Sequence, residues 1–88
     1  MTREIEYTNK FKRLYKKLDV NLQEKVKQTI LELQKKPFPE KLKVHKLSGK
    51  LSLYYSCSVD YSNRIIFEIQ ENGKILLLLV GNHSIYEK

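Results

Sequence analysis

The spacing of hydrophobic positions changes midway along the chain, and that change predicts the fold. Arg3 to Tyr7 alternates, with Ile5 and Tyr7 on one side, and predicts a short first strand. Thr8 is then placed to cap a helix in which Phe11, Leu14, Tyr15 and Leu18 recur at i, i+3, i+4 and i+7. Those four make one buried stripe, with Lys10, Lys12, Arg13, Lys16 and Lys17 around it. After a break at Asp19 a second helix is predicted from Asn21, with Glu24 in position to complete a capping box. Leu22, Val26, Ile30 and Leu33 form its stripe, and Pro37 and Pro39 end it because proline lacks a donor and clashes with the preceding turn. Two amphipathic helices so close in sequence predict an αα-hairpin.

Beyond a lysine-rich connection the period becomes two. Leu53, Tyr55, Cys57 and Val59 alternate with Tyr54, Ser56 and Ser58, as in a half-buried strand. Asp60 to Asn63 reads as a turn, and Arg64 to Gln70 as a strand with Ile65, Phe67 and Ile69 on one face. Asn72-Gly73 predicts a two-residue hairpin with positive φ at both positions. Ile75 to Val80 is apolar on both faces and predicts a central strand that Gly81 ends, leaving a polar tail. The order is β-α-α-β-β-β, an α+β fold: an antiparallel sheet with an N-terminal helical hairpin packed on one face and the first strand at an edge. The other face is then expected to be free to line a groove.

Composition narrows the class. Eighty-eight residues suit one domain, residues 1–88, and the lone Cys57 excludes an internal disulfide. No apolar run approaches the ~18–20 residues that span a bilayer, and Met1-Thr2-Arg3-Glu4 carries no apolar leader core, so a cytoplasmic protein without a membrane partner is expected. Charge adds more. Residues 1–50 hold 14 Lys/Arg against 6 Asp/Glu, a net +8, whereas residues 51–88 hold 3 against 4, a net −1. Such asymmetry suits a polyanion or an acidic protein partner, although lysine also serves solubility in a small domain.

Three glycines, one cysteine and two histidines are too few for a phosphate-cradling glycine loop or a Cys/His metal site, so neither metal nor cofactor is expected. What remains is a basic and protic set: Lys41, Lys43, His45, Lys46, Lys50, Arg64, His83 and Tyr86. Cleavage of RNA needs such groups. A base takes the proton of the attacking 2′-hydroxyl, an acid protonates the leaving 5′-oxygen, and cations hold the charge that builds on phosphorus-bound oxygens. Histidine suits proton transfer near neutral pH, and arginine offers phosphate a planar fork. Taken singly, each residue also has a structural reading: a loop histidine, a strand arginine facing solvent, a tyrosine anchoring the tail, a solvated run of lysines.

As a set, in order and spacing, these residues resemble the RelE/ParE superfamily of type II toxin–antitoxin toxins. The resemblance spans nearly the whole chain. It rests on the helical hairpin, His45-Lys46-Leu47-Ser48-Gly49, Tyr54-Tyr55-Ser56-Cys57-Ser58-Val59-Asp60, Asn63-Arg64-Ile65-Ile66-Phe67 and Val80-Gly81-Asn82-His83-Ser84-Ile85-Tyr86. It is most similar to the RelE and YafQ branches, which implies a RelE-like fold and a ribosome-dependent mRNA endonuclease. It also implies three partners: the 70S-type ribosome, mRNA, and a cognate antitoxin held in a toxin–antitoxin hetero-oligomer. By position the resemblance implies Arg64 as the contact to the scissile phosphate and His83 as general acid. It further implies Tyr86 as the tail aromatic, His45 as a candidate base, and Lys43, Lys46 and Lys50 as phosphate contacts. Ser58 and Ser62 stand where the YafQ pattern has a second histidine and an acidic residue. Two other functions share the resemblance: a ParE-like gyrase poison, and an inactive relative that only binds antitoxin or RNA.

Overall fold

The computed structural model describes residues 2–48 and 53–82. Among these residues the chain forms β1 (Ile5–Tyr7), α1 (Asn9–Lys16), α2 (Val20–Leu33), a 3-10 turn (Glu40–Leu42), β2 (His45–Lys46), β3 (Tyr55–Ser58), β4 (Asn63–Ile69) and β5 (Ile75–Asn82). The predicted hairpin is present, with Thr8 as the first cap. The second cap is Asp19 rather than Asn21: its carboxylate accepts the Leu22 N–H at 2.8 Å, so the helix starts one residue before the predicted Asn21. Tyr15 and Gln23 tie the two helices, the Gln23 amide donating to the Tyr15 carbonyl at 2.9 Å.

The five strands lie in the order β1-β5-β4-β3-β2. The pairs β3–β4 and β4–β5 are antiparallel, as predicted for the meander, and the unpredicted edge strand β2 adds a third antiparallel pair with β3. The sheet as a whole is nevertheless mixed, because β1 runs parallel to β5, Ile5 opposite Ile75. The cause is topological. The helical hairpin carries the chain from one edge strand to the other, and three successive reversals from β2 then bring β5 in parallel beside β1. The lysine-rich connection is also more ordered than its composition suggested, since it contains the 3-10 turn and the two-residue edge strand β2.

Two turns differ from their sequence reading. Gly73 alone has positive φ in the β4–β5 turn, at 85°, and Gln70 and Lys74 close a loop of three residues rather than two. Asn72 instead uses its side chain to accept the Lys74 N–H at 2.9 Å. Gly81 does not end the last strand, which pairs through Asn82 with Asn63.

The core lies between the helices and one face of the sheet. Phe11, Val26, Ile30 and Leu33 meet Cys57, Ile65, Phe67, Ile75, Leu77 and Val80. Ile75, Leu77 and Val80 reach one face despite their uneven spacing because β5 carries an extra residue: Ile66 faces Leu79 and Phe67 faces Leu77, leaving Leu78 as a bulge. Thr8 fastens α1 to that point. Its hydroxyl accepts the Phe11 N–H at 3.1 Å and donates to the Leu77 carbonyl at 2.9 Å. Thr8→Val keeps the volume and loses both bonds, so it is expected to destabilise the fold by about 1–2 kcal/mol, read from the urea midpoint. An unchanged midpoint would show that water replaces both contacts. The opposite face of the sheet is not the open surface predicted, since Ser56 and Ile66 at its centre are buried.

Candidate functional site

Arg64 is the second residue of β4, just after the β3–β4 turn, with Ser58 across from it on β3 and Gly81 on β5. Its Nη1 donates to the Ser58 hydroxyl at 2.8 Å and to the Asp60 carbonyl at 3.3 Å. A guanidinium carries five N–H groups, so two acceptors on Nη1 leave the Nε/Nη2 edge without a partner among the described residues. That edge is the fork that binds a phosphate through two parallel bonds. The arginine is therefore held by one side and offers the other.

The turn that holds it is built by Asp60. One carboxylate oxygen accepts the backbone N–H groups of Ser62 and Asn63, at 3.0 and 2.8 Å, and the Asn63 side-chain amide at 3.0 Å. The other faces Lys25 of α2 at 3.5 Å. Burial pushes this carboxyl up, but the Asn63 and Ser62 hydrogen bonds and the Lys25 charge outweigh it, leaving Asp60 below the usual carboxylate range. A depressed carboxylate adds stability that is complete above its unfolded value, about 3.9, and fades as pH falls through the folded one. The wild-type melting temperature should therefore drop on acidification below about pH 4. In Asp60→Asn that drop should be shallower, and identical acid limbs in both proteins would remove Asp60 as the titrating group.

Arg64, Ser58 and Asp60 line a cleft of about 750 Å³ between α2, the 3-10 turn and the β3–β4 turn. Lys25, Lys41 and Lys43 also line it, together with the carboxylates of Glu32 and Asp60. Glu32 is bound by Lys35 at 3.0 Å and faces Lys41 at 3.7 Å. The Lys35 hydrogen bond, against some desolvation and helped by both lysine charges, keeps its carboxyl below the ordinary range. Four cations against two carboxylates leave the cleft positive. Lys43 adopts the left-handed conformation, φ 52°, at the end of the 3-10 turn.

Of the residues singled out in the sequence, Arg64, Lys41 and Lys43 share this cleft. His45 and Lys46 lie exposed on the edge strand β2, opposite Ser56 and Tyr55, and do not line it. By register His45 is two strands and two residues from Arg64, roughly 10 Å across and 7 Å along the sheet. Its Nδ1 lies 3.0 Å from the Lys43 carbonyl, which can only accept, so Nδ1–H donates and a neutral ring presents its lone pair at Nε2. Lys50, His83 and Tyr86 lie outside the described residues. Cys57 is fully buried, and desolvation pushes its thiol up to about 12, so it is a protonated core filler without nucleophilic character. Asp60 and Lys25 were not foreseen. The signal for Asp60 was the Asp-x-x-Asn spacing of a side-chain-closed turn, whereas nothing local connects Lys25 to it.

A family model described as a bacterial toxin of type II toxin–antitoxin system, YafQ, matches residues 3–87. Among solved structures, the chain is similar to the toxin–antitoxin complex RelBE2 from Mycobacterium tuberculosis, with a TM-score of 0.80 at 16% identity over 94% of this chain and 100% of that one. It is similar to the E. coli DinJ–YafQ toxin–antitoxin complex at 0.74 and 23%, covering 97% of each chain. A YoeB/ParE toxin from Agrobacterium tumefaciens matches at 0.76 and 18%, over 91% of this chain and 98% of that one. At such identities these likenesses are of fold. No curated protein sequence matches the chain.

Proposed function

This chain belongs to the YafQ family of bacterial type II toxin–antitoxin toxins, and we propose that it is an endoribonuclease that cuts mRNA on the ribosome. The observation that carries this reading is Arg64, held on its Nη1 side by Ser58 and the Asp60 carbonyl and open on its other edge within a positive cleft. In the proposed reaction the ribose 2′-oxygen bonds to phosphorus and the bond from phosphorus to the 5′-oxygen breaks. The products are a 2′,3′-cyclic phosphate and a 5′-hydroxyl. Arg64 holds the non-bridging oxygens as their charge grows.

The remaining roles follow position in the chain. His83, the residue after Asn82, gives the departing 5′-oxygen its proton, and Tyr86 is the tail aromatic. His45 is the base if the RNA crosses β3 toward β2, with Nε2 receiving the 2′-hydroxyl proton. Lys43, Lys46 and Lys50 contact flanking phosphates, so ribosome binding weakens with salt.

A cognate antitoxin is the second proposed partner, forming a hetero-oligomer with the toxin. It is supported by an apolar groove between α1 and α2, lined by Tyr7, Phe11, Tyr15 and Ile30 and rimmed by Lys12, Lys16 and Lys27. An acidic amphipathic segment fits such a groove through both its faces. No described helix is long and apolar enough to cross a membrane, and a ribosome-directed enzyme works in the cytoplasm.

The test is to add the purified chain to a translating extract and map the 5′ ends of mRNA fragments. Fragments that appear only during translation support the reading. Intact mRNA with DNA supercoiling by gyrase blocked would assign the chain to the gyrase-poison reading instead.

A further inference from the structure

We propose that Tyr61 is a stacking platform for an RNA base next to the phosphate held by Arg64, an inference that rests on the nuclease reading and adds a binding residue to it. Tyr61 is 97% exposed, the most exposed of the large hydrophobic side chains described. Its ring therefore has no packing role that would explain it. The backbone beneath it is nevertheless tightly held, because the Asp60 carboxylate closes the turn through the N–H groups of Ser62 and Asn63 and is tied to α2 by Lys25. A braced turn spares the backbone the cost of ordering when a flat ligand lies on the ring, and tyrosine has only two side-chain torsions left to fix.

Its position sets the ligand. Tyr61 and Arg64 together line the lysine-bearing cleft and also a smaller hollow with Ser62 and Asn82, on the side where β5 ends. Arginine's free edge suits a phosphate and the neighbouring ring suits a base, which is the composition of one nucleotide. Single-stranded RNA presents its bases unstacked, as a duplex does not. Lys43 then meets an adjoining phosphate. Lys25 and Lys41 already face the carboxylates of Asp60 and Glu32, at 3.5 and 3.7 Å, so Lys43 and Arg64 carry the cleft's excess positive charge.

The test uses the full chain and a single-stranded oligoribonucleotide that is 2′-O-methylated throughout, so that it binds without being cut. Tyr61→Ala should weaken binding about 5- to 140-fold, the range corresponding to loss of one stacked base, while Tyr61→Phe keeps wild-type affinity. An oligonucleotide without bases should bind wild type and Tyr61→Ala alike. Equal affinity of wild type and Tyr61→Ala for the complete oligonucleotide, or no binding by wild type, overturns the inference. Cleavage by wild type in the translating extract reads the nuclease assignment independently. Cutting by wild type with no effect of Tyr61→Ala on oligonucleotide affinity defeats only the platform, whereas Tyr61-dependent binding without cutting defeats only the nuclease.

Discussion

Arg64→Ala is expected to lower mRNA cleavage in a translating extract about 10²–10³-fold, the loss usual when one donor aimed at a developing oxyanion is removed. The fold should survive, because the side chain is half-buried and the two acceptors it leaves, the Ser58 hydroxyl and the Asp60 carbonyl, lie beside an open cleft where water can replace it. Arg64→Lys separates charge from geometry. An ammonium keeps the charge but cannot bond Ser58 and Asp60 with one nitrogen while presenting a second planar edge to phosphate. It should therefore recover only a small part of the lost rate. The measurement is the rate at which new 5′ ends appear, taken beside a thermal melt of each variant. Wild-type cleavage by Arg64→Ala would remove this residue from the reaction, and with it the main support for the nuclease reading.

The second large effect concerns stability. Phe67 is fully buried at the middle of β4, with Tyr55 stacked at 5.8 Å between ring centroids and Phe38 edge-on at 6.2 Å. The Arg3 guanidinium lies over Phe38 at 4.1 Å, which continues the stack to the chain segment before β1. Phe67→Ala should cost about 3–5 kcal/mol, combining lost burial with the cavity left among rings that cannot all collapse into it. A small domain holds about 5–15 kcal/mol in total, so the variant should be substantially unfolded in urea that leaves wild type intact. Phe67→Leu should cost under about 1.5 kcal/mol, because most of the volume is kept. A Phe67→Ala midpoint near wild type would mean that the aromatic stack closes up on itself.

Both effects come from β4, yet only one was fully legible beforehand. Alternation of Ile65, Phe67 and Ile69 already placed Phe67 on the core face, and the structure buries it completely. Arg64 was legible as a candidate through its place in a familiar run of residues. Its partners were not, because Ser58 and Asp60 meet it only after the β3–β4 turn folds the chain back. By register Arg64 and Ser58 share the helix-distal face of the sheet with Ser56 and Ile66, the face on which the site was expected. What was not legible is that the middle of that face is buried, so Arg64, near its end, opens into a cleft also bounded by α2 and the 3-10 turn. His45 shows the same limit, since its edge strand depends on pairing with Ser56 across residues that carry no local strand signal.

What the sequence determined by itself is whatever depends on residues within a turn or so of one another. The Thr8 cap, the helical stripes, the alternation of β3 and β4 and the Asp60–Asn63 turn are of this kind, set by side chains reaching three or four positions along the chain. The basic half of the molecule is likewise a property of composition. Only the tertiary structure decided that Ile5 lies in parallel beside Ile75, that Leu78 bulges so three apolar residues share one face, and that Lys25 braces the turn carrying Arg64. The first and last of these contacts join residues dozens of positions apart and require closure of a long loop, and the bulge sets the register of two whole strands against the core. They are selected by how well the whole core packs, a free energy shared among all its residues and encoded in no short stretch of them.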